Sequence, residues 1–237
     1  MGIKERHERD REAVRRAILD AARELFVTEG FQHVSIRKIA ERIEYSPAAI
    51  YSYFPSKDDI FFALAEEGFR LLGSPAIALD RLQDLPPLER LRSIFWRMYE
   101  FSVEHPQYFA LMFVERSVPR ISREYERFAF MRTRKQEIIG VVEACIASGD
   151  LPDGTNPGVA FRVLTAGLLG IATLRLSERL APGENADDLA RDVLAVAIAG
   201  LRAGVQFTSV SAGPCPGDEP ATAVHAAQTL TSAVQES

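Results

Sequence analysis

Two prolines eight residues apart, Pro47 and Pro55, confine the stretch SPAAIYSYFPSK, residues 46 to 57, to barely two helical turns. Ser46 is a favoured N-cap, and Pro47 suits the first helical position because its missing N–H would be unpaired there. Pro55 disfavours helical geometry at Phe54, so the spacing predicts a helix over 47–53. Isolated helices shorter than about 12 residues are marginal in water, so other parts of the chain must brace this one. Ile50 and Phe54, four apart, give it a narrow apolar stripe and leave Pro47, Ala48, Ala49, Tyr51, Ser52 and Tyr53 free to face elsewhere.

The preceding residues supply the braces. Val14, Ala17, Ile18, Ala21, Ala22, Leu25 and Phe26 recur at helical spacing, and Gly30 stands where a left-handed cap would end that helix. Ser35 can cap a second helix, SIRKIAERI, that buries Ile36, Ile39, Ala40 and Ile43 and turns Arg37, Lys38, Glu41 and Arg42 to water. Glu44 and Tyr45 then lead into Ser46. Two short helices joined by a tight turn and braced by a longer one form a helix-turn-helix.

The run VSIRKIAERIEYSPAAIYSYFPSKDDIFFAL resembles the DNA-binding segment of the TetR (tetracycline-repressor) family. Ser35, Ile39, Ala40, Ser46, Ile50, Tyr51, Tyr53, Phe54, Lys57 and Ile60 match the family pattern in one register over some thirty residues. Where the family usually has Gly in the turn, this chain has Glu44. Either the turn avoids positive φ, or Glu44 bears a strain of about 1 kcal/mol or more; its carboxylate would also repel phosphate. The resemblance implies that Pro47, Ala48, Ala49 and Tyr51 lie against base edges in the major groove, where small residues allow close approach and methyl groups suit thymine. It implies that Ser35, Ser46, Ser52, Tyr53 and Lys57 meet phosphates, which fix register. Arg37 is the candidate for a bidentate guanine contact. The alternative for Tyr51 and Tyr53 is an ordinary role as amphipathic surface aromatics.

Charge fits this division. Residues 1–57 hold 11 Lys and Arg against 9 Asp and Glu, whereas the remainder holds 17 against 24. An N-terminal part suited to approach phosphate thus precedes an acidic body. The extreme N-terminus mixes both signs densely and reads as a solvated helix start; a nonspecific phosphate role for Lys4, Arg6 and Arg9 is the other reading. Charges fill the first sixteen residues and no run of eighteen apolar residues occurs, so neither a signal peptide nor a membrane span is expected. Two cysteines, Cys145 and Cys215, fit a reduced, cytoplasmic protein without structural disulfides, with Cys145 a small buried residue.

Beyond the motif the chain reads as all-α, about nine helices in total. Ser56 with Asp59 resembles a capping box opening a helix to about Leu72, closed by Gly-Ser-Pro. Helices follow from Pro87 to His105, over QYFALMFVERSV, from about 121 to 148, 157 to 180 and 185 to 205. Three parts are expected: a helix-turn-helix DNA-binding domain over 1–56, a helical effector-binding and dimerisation domain over 57–207, and a largely disordered tail over 208–237, which has no Lys, Arg or aromatic residue.

Gly167, Gly170, Ala195, Ala199, Gly200 and Ala203 lie among aliphatic residues of the last two helices, which permits close helix approach. The resemblance implies that these helices form a four-helix interface in a homodimer; filling the monomer's own core is the alternative. Trp96, Tyr99, Phe109, Met112, Phe113, Phe130, Met131 and Phe161 concentrate in the middle of the chain, where the family encloses a small-molecule effector, though such a stripe is also what a core requires. Arg162 could meet a ligand carboxylate or pair with Glu143. The resemblance therefore implies a regulator, as a repressor released from a double-stranded operator by its effector. The other reading is a helical ligand-binding or interaction protein with a weak helix-turn-helix. His7, His33, His105 and His225 are scattered, and neither His-Glu-x-x-His, Cys-x-x-Cys, a phosphate loop nor Gly-x-Ser-x-Gly occurs. No enzymatic activity, metal or cofactor is expected.

Overall fold

The computed structural model describes residues 2–73, 82–119 and 126–209 of the 237-residue chain. The described residues form nine α-helices and no strand. These are α1 (Ile3–Glu29), α2 (Ile36–Arg42), α3 (Pro47–Tyr51), α4 (Lys57–Leu72), α5 (Pro87–Glu104), α6 (Pro106–Phe109), α7 (Ala129–Ala147), α8 (Pro157–Leu176) and α9 (Ala186–Arg202).

Local chemistry sets most of the boundaries. Ser35, Ser46 and Ser56 each accept a hydrogen bond from the backbone N–H three residues on, at 3.2, 3.2 and 3.1 Å. The Ser56 pair departs from a capping box, because the Asp59 carboxylate accepts a hydrogen bond from the Ser56 hydroxyl, at 2.6 Å, in place of the Ser56 backbone N–H. Gly30 ends α1 at φ 84 and ψ 141, a glycine conformation but an extended one, not the left-handed helical cap. α3 is shorter than expected, closing at Tyr51 with Ser52 as its cap. α8 stops at Leu176, where Ser177 caps it and Glu178 turns to φ 54. The segment after α5 is a single turn, α6, running into a π-helical turn at Ala110–Val114. The start expected for α7 near 121 and most of the tail lie outside the described residues.

Two apolar clusters organise the chain. The first joins α1 to α4 with α6 and Phe128, and contains Ile18, Phe26, Ile39, Ile50, Phe54, Phe61 and Phe109. Ile60, Phe61 and Leu64 of α4 share this core with α1 and α2. The second joins α5, α7, α8 and α9 round Phe95, Tyr99, Val142, Leu164, Leu168 and Ile198. Cys145 lies fully buried in it, and burial pushes its thiol up to about 11, so it is an unreactive packing residue.

By length and composition α8 is apolar enough to cross a membrane. In the fold it packs on α5, α7 and α9 through Val159, Ala160, Leu164, Leu168, Ile171 and Ala172. Its opposite side carries Arg162, Ala166, Gly170 and Leu174 to the surface, so beyond Arg162 its outer face is apolar as well.

Ile50 is wholly buried and is the one α3 side chain fully inside the core. Ile50→Ala is expected to cost about 2 to 5 kcal/mol in urea unfolding, and a cost under about 1 kcal/mol would contradict its role as anchor.

Candidate nucleic-acid interface

The outer surface of α2, its turn and α3 forms a small shelf. Burial of Ile36, Ile39 and Ala40 on α2 and of Ile50 on α3 fixes which sides face outward. Ser35, Arg37, Ser46, Pro47, Ala48 and Ser52 are exposed, Tyr51 is 55% exposed, and Ala49 and Tyr53 are half-buried. Apart from Lys57, the expected contact residues thus lie on α2, the turn and α3, or directly beside them. Ser35 and Ser46 use an oxygen lone pair for capping, which leaves each hydroxyl proton available to a phosphate. The Ser52 hydroxyl donates to the Ala49 carbonyl at 2.7 Å.

Lys57 is turned inward. Its ammonium donates to the Phe31 carbonyl at 2.8 Å and sits 4.1 Å from the centre of the Phe31 ring. It ties α4 to the short 3-10 turn after α1, a bond that the phosphate contact expected of Lys57 would have to share or replace. The cations of α2 are also engaged. Arg37 donates to Glu41 at 2.9 Å, Lys38 pairs with Glu29 and Arg42 with Glu24. The last two pairs fasten α2 to α1. The Arg37 pair is 80% and 62% exposed, and such pairs contribute about 0 to 1 kcal/mol, so Arg37 can exchange Glu41 for another partner cheaply.

Glu44 adopts φ 58, the left-handed conformation. Of the two expectations for the turn, the strained one holds. The Tyr45 N–H closes the turn onto the Ala40 carbonyl at 2.9 Å, which keeps the chain in that conformation.

A polar junction that spacing did not reveal joins this head to the body. Arg16 of α1 holds Asp20 through two bonds, at 2.7 and 3.1 Å, and reaches Glu67 of α4 at 2.6 Å. Arg23 donates to the Tyr108 hydroxyl at 2.8 Å and to Gln107 at 3.0 Å, both on α6, and its guanidinium lies 4.9 Å from the Tyr108 ring centre. The Arg16 hydrogen bonds hold the Asp20 carboxyl below its ordinary 3.8, while burial raises the Tyr108 phenol. The pairs Arg16–Asp20 and Asp20–Arg23, four and three apart, are legible on a helical wheel, but their partners are 51 to 92 residues distant.

The residues expected round an effector fall into both clusters. Phe109, Met112, Phe130 and Met131 belong with the first; Trp96, Tyr99 and Phe161 belong with the second. Phe113 is 37% exposed and stacks near Phe69 and Phe109. The Tyr99 hydroxyl donates to Asp187 at 2.6 Å, and Trp96 donates to Glu100 at 3.0 Å beneath Arg191. Arg162 is exposed, and among the described residues no ion pair joins it to Glu143. Two grooves, of about 370 and 400 Å³, lie elsewhere, one between the α7–α8 loop and the end of α9, the other between α1, Arg42 and Gln107. Among the small residues of the last helices, Gly167 serves packing within the chain, since a Cβ there would come within 2.8 Å of Val193. Gly200 is half-buried; Gly170, Ala195, Ala199 and Ala203 are exposed.

Comparison with known proteins settles what this arrangement belongs to. Residues 18–64 match the model of the bacterial regulatory proteins of the tetR family, and residues 91–197 match the tetracyclin repressor-like C-terminal domain. Over 166 residues the chain is 31% identical to the nucleoid occlusion factor SlmA of Vibrio campbellii, a match covering 66% of this chain and 78% of SlmA. The chain belongs to the TetR family. It is 44% identical over 55 residues to the transcriptional repressor Rv1474c of Mycobacterium tuberculosis, covering 23% of this chain and 29% of that repressor's length. The TetR fold recurs in the transcriptional regulator FadR of Bacillus subtilis, solved with stearoyl-CoA, at a TM-score of 0.63 and 17% identity over 78% of this chain and 97% of FadR. The TetR-family match over residues 18–64 takes in the whole shelf. That match gives the chain the helix-turn-helix of the bacterial regulatory proteins of the tetR family.

Glu44→Gly is expected to raise the unfolding free energy by up to about 1 kcal/mol, since glycine meets no Cβ penalty at positive φ but gains freedom when unfolded. A fall in stability on urea titration contradicts the strain at Glu44.

Proposed function

We propose that this regulator is a homodimeric repressor that inserts α3 into the major groove at each half of a two-fold operator and is released by a small molecule. The observation that carries this reading is the outer face of α3, where Pro47, Ala48 and Tyr51 stand exposed on a helix whose other side is locked by Ile50. Small side chains in front let the helix sink toward base edges, and the phenol of Tyr51 combines an apolar ring with a polar tip. Ser35, Ser46, Ser52 and Tyr53 flank it as hydroxyl donors to phosphate, and Arg37 reaches guanine after leaving Glu41. In this reading residues 1–56 form the DNA-binding unit and 57–207 the body, and the protein works in the cytoplasm, where the chromosome is.

Dimerisation is supported by the apolar surface of the last two helices. Ala166, Gly170 and Leu174 on α8 and Ala195, Val196, Ala199 and Ala203 on α9 are exposed, with Val196 at 72%. A second copy laid against this face would cover it, and a two-fold pair sets two α3 helices one DNA turn, about 34 to 36 Å, apart. The effector enters the body, where half-buried Trp96, Phe161, Met112, Phe130 and Met131 can repack round an apolar molecule. It acts only by fitting the DNA-incompetent spacing better than the competent one.

The Tyr51 side chain tests the reading directly. Tyr51→Ala is expected to weaken binding to duplex from the protein's own upstream region by about 1 to 3 kcal/mol in a fluorescence-anisotropy titration, with the thermal midpoint unchanged. Operator affinity equal to that of the unmodified protein would remove Tyr51 from the site. Weak binding that ignores sequence in both proteins would favour instead an interaction protein with a vestigial helix-turn-helix, a reading that the carboxylate partners of every α2 cation favour.

A further inference from the structure

α1 is longer than its packing explains. It begins at Ile3, yet Val14 is the first of its residues packed against the head core, and residues 5–13 are exposed throughout. Those nine residues carry helix about 14 Å past the packed part, at 1.5 Å per residue. Two arginines four apart show where this extension runs. The Arg11 guanidinium lies 5.8 Å from the centre of the Tyr53 ring, and the Arg15 guanidinium 5.3 Å from that of Phe54. One face of α1 therefore passes the C-terminal end of α3, beside the shelf.

The charges there are unequally committed. Arg15 has Glu12 at 3.6 Å, Arg16 and Arg23 have Asp20, and each α2 cation has its carboxylate. Arg11 has the Tyr53 ring and, among the described residues, no carboxylate within 4.0 Å. A ring face holds a guanidinium in place without neutralising it, so Arg11 keeps its full charge and its donors free. The acidic neighbours along α1 are Glu8, Asp10 and Glu12. Glu12 is taken by Arg15, and Glu8 and Asp10 stand exposed without reaching Arg11.

We propose that Arg11, outside the helix-turn-helix and stacked on Tyr53, is a further DNA-backbone contact that grips a phosphate flanking the stretch read by α3. The inference rests on the proposed operator reading. In it Tyr53 has two tasks: its hydroxyl donates to one phosphate, and its ring face steers the guanidinium toward the next. Because phosphates carry no sequence information, Arg11 adds affinity without adding selectivity.

The test compares the full-length protein with its Arg11→Gln and Arg11→Lys variants on upstream and scrambled duplexes over a series of salt concentrations. Each lost phosphate contact lowers the slope of log K against log salt by about 0.9. Arg11→Gln is expected to reduce the slope by about 0.9 per bound chain on both duplexes, leaving the ratio of the two affinities and the thermal midpoint unchanged, while Arg11→Lys restores the slope. An unchanged slope in Arg11→Gln overturns the proposal, as does a lowered thermal midpoint with the slope intact, which would make Arg11 a brace for Tyr53. The operator reading fails separately, through an upstream duplex bound no better than the scrambled one, and if the unmodified protein binds neither duplex both fall together.

Discussion

A five-residue helix cannot hold its own shape in water, so α3 exists only because Ile50 and Phe54 are sunk into the apolar layer shared by α1, α2 and α4. Full burial of such a side chain is worth about 1.5 to 3 kcal/mol. That anchoring decides the rest of the head. With one side of α3 spoken for, Pro47, Ala48 and Tyr51 must face outward. Everything surrounding it is bracing: Ser46 closes its first turn, Tyr45 binds back to α2, and Lys57 closes α4 onto the Phe31 carbonyl.

The same helix α1 that braces α3 also meets the body. Arg16 bridges to Glu67 of α4, and Arg23 reaches Tyr108 and Gln107 of α6, beside the π-helical turn at Ala110–Val114. These bonds are partly buried, so water competes with them less than at the surface. Apolar packing runs through the junction as well, from Phe26 and Phe61 to Phe109 and Phe128. The angle at which the shelf is presented is therefore set by where α4 and α6 sit.

Much of the head was legible because its signals are local. Three serine caps, the prolines at 47 and 55, and the apolar spacing of α1 and α2 each act within a few residues, and the structure keeps the three caps while closing α3 at Tyr51, short of the expected 53. The all-helical class follows from the same periodicity. What spacing could not reveal depends on residues far apart. Lys57 matches a family position whatever its partner, and only the fold brings Phe31 beneath it. Aromatic residues at 96 to 161 read as one group along the chain, yet the fold deals them into two cores. Glu44 was legible as a choice between two turns, and the closing bond to Ala40 decided it. The Arg16 and Arg23 junction links positions up to 92 residues apart, beyond any periodicity.

In the proposed dimer two copies of α3, one from each chain, read two copies of one short sequence. Selection of bound duplexes from a randomised pool by the purified protein measures this most directly, because it assumes no operator. The expected result is enrichment of an inverted repeat whose half-sites are centred about one helical turn apart, or a whole multiple of it, bound by an even number of chains. Enrichment of a single half-site bound by one chain, or no enrichment over the starting pool, would contradict it.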